Sequence, residues 1–133
     1  MLLLHHDARA QELGIVAVVN DEAISAFDVA MRMQVAVSSA RLPDTPEVRE
    51  RLGAQVLRSL IDETLQKQEA ARRDFTISNA ELDEAIQALE ERNNIPPGGF
   101  EDYLARQGIE LLAVRAQVDA ELAWGKVISS EVQ

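Results

Sequence analysis

The apolar and polar positions near the start of the chain describe a short hairpin followed at once by a helix start. Val16-Ala17-Val18-Val19 is an apolar, mostly β-branched run of the kind that suits a pleated surface. Asn20-Asp21-Glu22 supplies a turn, since Asn and Asp tolerate left-handed backbone angles and bond to their own main chain. Ala23 and Ile24 form a very short return strand. A lone two-stranded ribbon is marginal in water, so this hairpin must lean on helices or pair with another strand.

Helical punctuation follows. Ser25 caps a helix, with Asp28 three residues on and Ile24 and Val29 placed as a hydrophobic staple. That helix covers residues 25–41 and is stopped by Leu42-Pro43-Asp44. Thr45 as cap with Pro46 in the first turn starts a second helix, the longest, running to about residue 73. Glu47–Arg51 and Glu69–Arg73 sit four apart and support it modestly. Asp74-Phe75-Thr76 is a turn. Ser78 with Glu81 forms another capping box, with Ile77 and Leu82 as its staple, and the third helix ends near Arg92. No helix crosses Asn93-Asn94-Ile95-Pro96-Pro97-Gly98-Gly99. Residues 100–107 form a short helix closed by Gly108. A fifth helix starts near Ile109 or Glu110 and runs to the end of the chain. The predicted fold class is mainly α, an irregular bundle of about five helices with a small N-terminal β-hairpin.

Two helices carry more apolar surface than one core needs. At about 100° per residue, the first puts Ala26, Val29, Ala30, Met33, Ala36, Val37 and Ala40 on one broad face, the core face. Phe27, Met31 and Val35 form a second stripe on nearly the opposite side, whereas an ordinary surface helix has one. Two readings stay open: the helix is buried on both sides, or the stripe is a face for unfolded clients or for a further segment. Met suits promiscuous surfaces because it is flexible and polarizable. In the fifth helix, Leu111, Val114, Val118 and Leu122 form one stripe, and Leu112, Ala116, Ala120, Ala123, Trp124 and Val127 another. Arg115 and Asp119 lie between them, four apart, as an ion pair. Trp124, the only tryptophan, is a core residue or an anchor for a client or interface.

Composition narrows the class. The length of 133 residues fits one domain with a real core. Aromatics at 4% and hydrophobic residues at 47% suit Leu/Val/Ala helix packing better than a β-sandwich. A net charge of −10 argues against nucleic acid and against an anionic membrane surface. With no cysteine there is no disulfide and no thiolate site. Ala8-x-Ala10, behind Met1-Leu2-Leu3-Leu4-His5-His6, is a signal-peptidase type of site that leaves Gln11 as the mature start. Residues 1–12 are therefore read as a signal-peptide remnant or an expression tail, and residues 13–133 as the domain.

No catalytic constellation is legible. The two histidines, His5 and His6, lie in the N-terminal tail, so Ser25, Ser59 and Ser78 have no histidine in the folded region to activate them. Glu81/Asp83/Glu84 and Glu90/Glu91 lack calcium-loop spacing and read as a solvated helix face. Gly98-Gly99 is no phosphate loop, because no strand precedes it and no Lys-Ser/Thr follows. Neither a metal site nor a cofactor, and no small-molecule substrate, is expected.

The order of motifs carries a family likeness. V-A-V-V-N-D-E-A-I-S-x-x-D (Val16 to Asp28), followed by a helix, resembles the start of the N-terminal chaperone domain of the SurA family, periplasmic chaperones and peptidyl-prolyl isomerases of Gram-negative bacteria. Leu57 to Gln68 is similar to that family's long second helix. Phe75-Thr76-Ile77-Ser78 with Leu82-Asp83-Glu84-Ala85-Ile86 is similar to the start of its third. Glu91-Arg92-Asn93-Asn94 with Phe100 and Tyr103-Leu104 is similar to the next loop and short helix. The resemblance covers roughly residues 13–133. It implies an incomplete chaperone core, without the parvulin isomerase domains or the returning C-terminal helix and strand. It also implies ATP-independent binding of unfolded outer-membrane protein precursors in the periplasm, assisting outer-membrane protein assembly. This chain itself is then no enzyme, with Phe27, Met31, Val35 and Trp124 as client-binding candidates. The alternative is a non-catalytic structural or dimerisation module of a membrane-anchored or secreted parvulin-type isomerase. The open edge at Val16–Val19 and the two stripes of the fifth helix also predict self-association, by sharing or swapping an element between two copies.

Overall fold

The computed structural model of the protein describes residues 14–132. The element order is β1 (Ile15–Val19), β2 (Glu22–Ser25), α1 (Ala26–Ala40), α2 (Pro46–Arg72), α3 (Asn79–Arg92), α4 (Phe100–Ala105) and α5 (Leu111–Glu131). This is the mainly helical architecture with an N-terminal hairpin that the periodicity predicts. The proposed tail, with its Ala8-x-Ala10 site, His5 and His6, lies outside the described residues. The chain divides into two compact units, one reaching as far as Thr64 and the other starting at Leu65.

In the first unit, β1 and β2 pair antiparallel, with Ala17 opposite Ile24, Val18 opposite Ala23 and Val19 opposite Glu22. Asn20 takes φ of 56°, the left-handed angle that a two-residue hairpin turn needs. Side chains alternate across the ribbon, so Val19 and Ile24 are buried while Val16 and Val18 face solvent. A register irregularity between Ile15 and Ala17 breaks the ladder there. The Ala26 N–H, one of the orphan donors of a helix start, bonds the Gly14 carbonyl and sets the first turn of α1 beside the start of β1.

The capping box at Ser25 forms as read. The Ser25 hydroxyl accepts the Asp28 N–H at 3.0 Å, and the Asp28 carboxylate accepts the Ser25 N–H at 2.9 Å. Behind it, Met33 and Val37 of α1 and Val48 and Val56 of α2 are buried together, with Val29, Ala36, Leu52 and Leu60 packed around them. Positions 48, 52, 56 and 60 step by four, the ridge spacing by which helices interlock. Each of the larger of these side chains contributes about 1.5–3 kcal/mol by leaving water. Ala26, Ala30 and Ala40, assigned to the core face from the sequence, are exposed. Inside this unit α1 buries a charge, Arg32, whose guanidinium makes a two-pronged bond to the Glu63 carboxylate of α2.

The second unit packs α3 and α4 against α5. Ala70, Ala123 and Val127 are buried together, with Phe75, Ile77 and Trp124 packed on them. Ser78 and Glu81 form the second capping box, with the Ser78 hydroxyl accepting the Glu81 N–H at 3.1 Å. Of the two pairs expected in α2, Glu69–Arg73 closes at 2.9 Å, whereas Glu47 and Arg51 are exposed and no ion pair joins them.

Two expectations are corrected here. Arg115 does not pair with Asp119: it reaches Asp83 of α3 at 3.1 Å, while Asp119 takes Lys67 at 3.6 Å. A basic residue four before an acidic one is the poorer order along a helix, so partners on neighbouring helices win. Nor is the acidic run of α3 all solvated. Glu81 pairs with Lys126 of α5, and Glu90 is only 4% exposed, its carboxylate accepting the Phe100 N–H at 3.1 Å. Gly99 has no side chain to cap α4, and Glu90 supplies that cap from another helix.

Four turns share one device. Arg41, Asp74, Asn94 and Gly108 take left-handed φ angles of 55°, 59°, 55° and 73°. The next residue then bonds five back: Leu42 to Val37, Phe75 to Ala70, Ile95 to Glu90 and Ile109 to Leu104. This closure satisfies carbonyls that a helix end leaves open, and it places an apolar residue just past the turn.

Candidate functional site

The four residues singled out from the sequence fall in different settings. Phe27 sits in the first turn of α1, held there by the Ser25–Asp28 capping box, and is 66% exposed. Met31 and Val35, one and two turns further, are half-buried. The second stripe of α1 is therefore open at its N-terminal end and partly covered along its length. Phe27, Met31 and Val35 belong to the first unit, whereas Trp124 belongs to the second. Trp124 is half-buried against Ala70, Ala123 and Val127, which gives its ring a packing role.

Further apolar surface is displayed elsewhere. In the first unit it comprises Val16 and Val18 on the outer face of β1 and Leu42 after α1. In the second, Leu112 is 78% exposed, and Ile128 and Tyr103 are also open to solvent. Leu112 and Ile128 carry α5 surface that the bundle does not cover. By contrast Val114, Val118 and Leu122 are half-buried.

The second unit also holds a groove of about 630 Å³ that the sequence reading missed. Phe75 and Leu122 provide apolar walls, Gly125 leaves an opening on α5, and Glu81, Lys126 and Glu121 stand around it. Lys126 donates to the Thr76 carbonyl at 2.9 Å and lies 2.9 Å from Glu81. The Lys126 ammonium, and then the Ser78 main-chain N–H, hold the Glu81 carboxyl below its ordinary range. A carboxyl whose folded pKa is depressed stabilises the fold above its unfolded value, and that support is lost as pH falls through the folded value. At neutral pH the pair is thus fully charged and mutually satisfied, whereas Glu121 has no ionic partner among the described residues. The available sequence signal was Gly125 in mid-helix, where glycine costs about 1 kcal/mol relative to alanine.

Among the described residues no group of three or more His, Cys, Asp or Glu is placed to hold a metal ion. No described helix is long and apolar enough to cross a membrane. What the surface offers is apolar area with acidic neighbours, which can bind and release polypeptide without bond-making.

A helical module with a short hairpin and open apolar faces fits the chaperone class, and sequence comparison gives the family. The SurA N-terminal domain family matches residues 14–128, so the chain belongs to that family. It is 34% identical over 119 residues to Chaperone SurA of Chromobacterium violaceum, across 89% of this chain and 28% of that protein. To Chaperone SurA of Legionella pneumophila (strain Lens) it is 30% identical, across 85% of this chain and 27% of that protein. An uncharacterized protein of Rickettsia conorii is 32% identical across 92% of this chain and 41% of its own length. The chain thus spans little more than a quarter of the two chaperones.

Proposed function

We propose that this domain holds unfolded outer-membrane protein precursors in the periplasm, without ATP, and so assists their assembly. The observation that carries this reading is the open N-terminal end of the second stripe of α1, where a capped first turn displays Phe27 beside half-buried Met31 and Val35, in a member of a chaperone family. Ordinary helices bury their large apolar side chains on one face, and a second displayed stripe marks a contact surface. Extended client segments would meet it through apolar side chains, with main-chain hydrogen bonds adding affinity that does not depend on sequence. Contacts of this kind are weak one by one, which suits clients that must leave unfolded. The remaining three-quarters of the chaperone relatives' length leaves room for the isomerase domains that the family resemblance implies.

The test is delay of aggregation of a urea-unfolded porin diluted into buffer, followed by light scattering. The wild-type domain is expected to delay it, while a typical soluble enzyme is not protected. Phe27→Ser with Met31→Ser should weaken holding by about tenfold or more, the loss of one or two apolar contacts, with the helical circular-dichroism signal kept. If the double variant unfolds instead, the stripe is core and not a client face.

A further inference from the structure

We infer that the groove on α5 is a second contact site, which takes an extended polypeptide segment bearing a large apolar side chain next to a lysine or arginine. The inference rests on the reading of the chain as a holder of unfolded segments. It starts from Gly125, in the interior of a 21-residue helix. Gly125 has no left-handed φ, and a Cβ added there would meet nothing within 4 Å. The fold itself therefore does not require a glycine, although glycine weakens the helix. Its absent side chain keeps the groove open between Phe75 and Leu122.

Size and charge select the occupant. A volume of about 630 Å³ is that of a small-ligand or short-peptide site. A stable pair of subunits needs about 800 Å² from each partner, far more than this groove offers a second copy. The apolar walls ask for an apolar side chain. Lys126, the one positive group at the rim among the described residues, is already satisfied by Glu81 and the Thr76 carbonyl. Glu121 stands at the same rim with no ionic partner among the described residues, so a cation beside the apolar group complements the site. A segment with acidic flanks would meet two carboxylates and one neutralised ammonium.

The experiment is fluorescence anisotropy of two dye-labelled heptapeptides of alternating phenylalanine and threonine, one ended by lysines and one by glutamates. The wild-type domain is expected to bind the lysine-ended peptide about 2–5-fold more tightly, with the difference shrinking at high salt. Glu121→Lys should reverse that order. Gly125→Leu fills the groove and should weaken binding by about tenfold or more. Gly125→Ala should keep binding and raise the thermal midpoint, showing that the leucine acts by occlusion and not by unfolding. The inference is overturned if Gly125→Leu, folded by circular dichroism, binds as the wild type does, or if the two peptides bind equally at low salt. A wild type that protects porin yet binds neither peptide removes the groove site and leaves the holding reading intact. Groove binding without protection of porin removes the holding reading instead.

Discussion

Arg32→Ala is expected to cost the first unit about 3–5 kcal/mol of stability, because it empties a buried position and takes the counter-charge from a mostly buried carboxylate. Arg32 is 7% exposed and grips Glu63 with both terminal nitrogens, joining the middle of α1 to α2 beside the Met33–Val37–Val48–Val56 cluster. Removing Arg32 leaves Glu63, its side chain only 19% exposed, without its counter-charge. The pair itself is a different matter. Desolvating two ions costs about as much as their attraction returns, and the Arg32 Nε has no hydrogen-bond partner among the described residues. Arg32→Met together with Glu63→Leu should therefore recover most of the loss. Urea denaturation of the single and double variants measures both. A single-variant loss under about 1 kcal/mol would show a solvated pair of the surface kind.

That pair also shows where sequence reading stops. The capping boxes at Ser25 and Ser78 were legible because each needs only a hydroxyl and an acid three residues apart. The hairpin was legible from a β-branched run ahead of Asn20-Asp21. Gly108 could be placed as a helix end, since glycine takes a left-handed angle freely. Asp74 takes the same angle within the turn read at residues 74–76, and so does Arg41, but nothing about an arginine announces it. Charge defeated periodicity in both units. Arg32 lies beside the core face of α1 and Glu90 within an acidic run of α3, and local sequence cannot reveal a partner 31 or 10 residues away. Arg115 looked paired within its helix because Asp119 lay within reach, and Asp83 could be found only through the packing of α3 on α5. The candidate stripe was legible at Phe27, where a first-turn side chain escapes the core. Trp124 was not separable from core by sequence, because alanines at positions 70 and 123 make room for its ring.

In the second unit the largest effect is expected from Phe100→Ala, a loss of about 3–5 kcal/mol, as for other buried rings. Phe100 is the first residue of α4, buried with Leu104 and stacked on Tyr103 at 6.3 Å between ring centres. A helix of six residues is too short to persist in water alone. Two anchors hold it: the Phe100 ring, and the Glu90 carboxylate on the Phe100 N–H. Glu90→Ala keeps the ring but leaves that N–H without its acceptor, at about 1–3 kcal/mol. The two substitutions act on one short helix through one residue, so their costs should not add. Once Phe100→Ala has released α4, losing Glu90 as well should cost less than it does in the wild type. A double-mutant cycle by urea denaturation gives the coupling, expected at about 0.5–3 kcal/mol. Strict additivity would mean that α4 stays docked without the ring, through Leu104 and Ile109 alone.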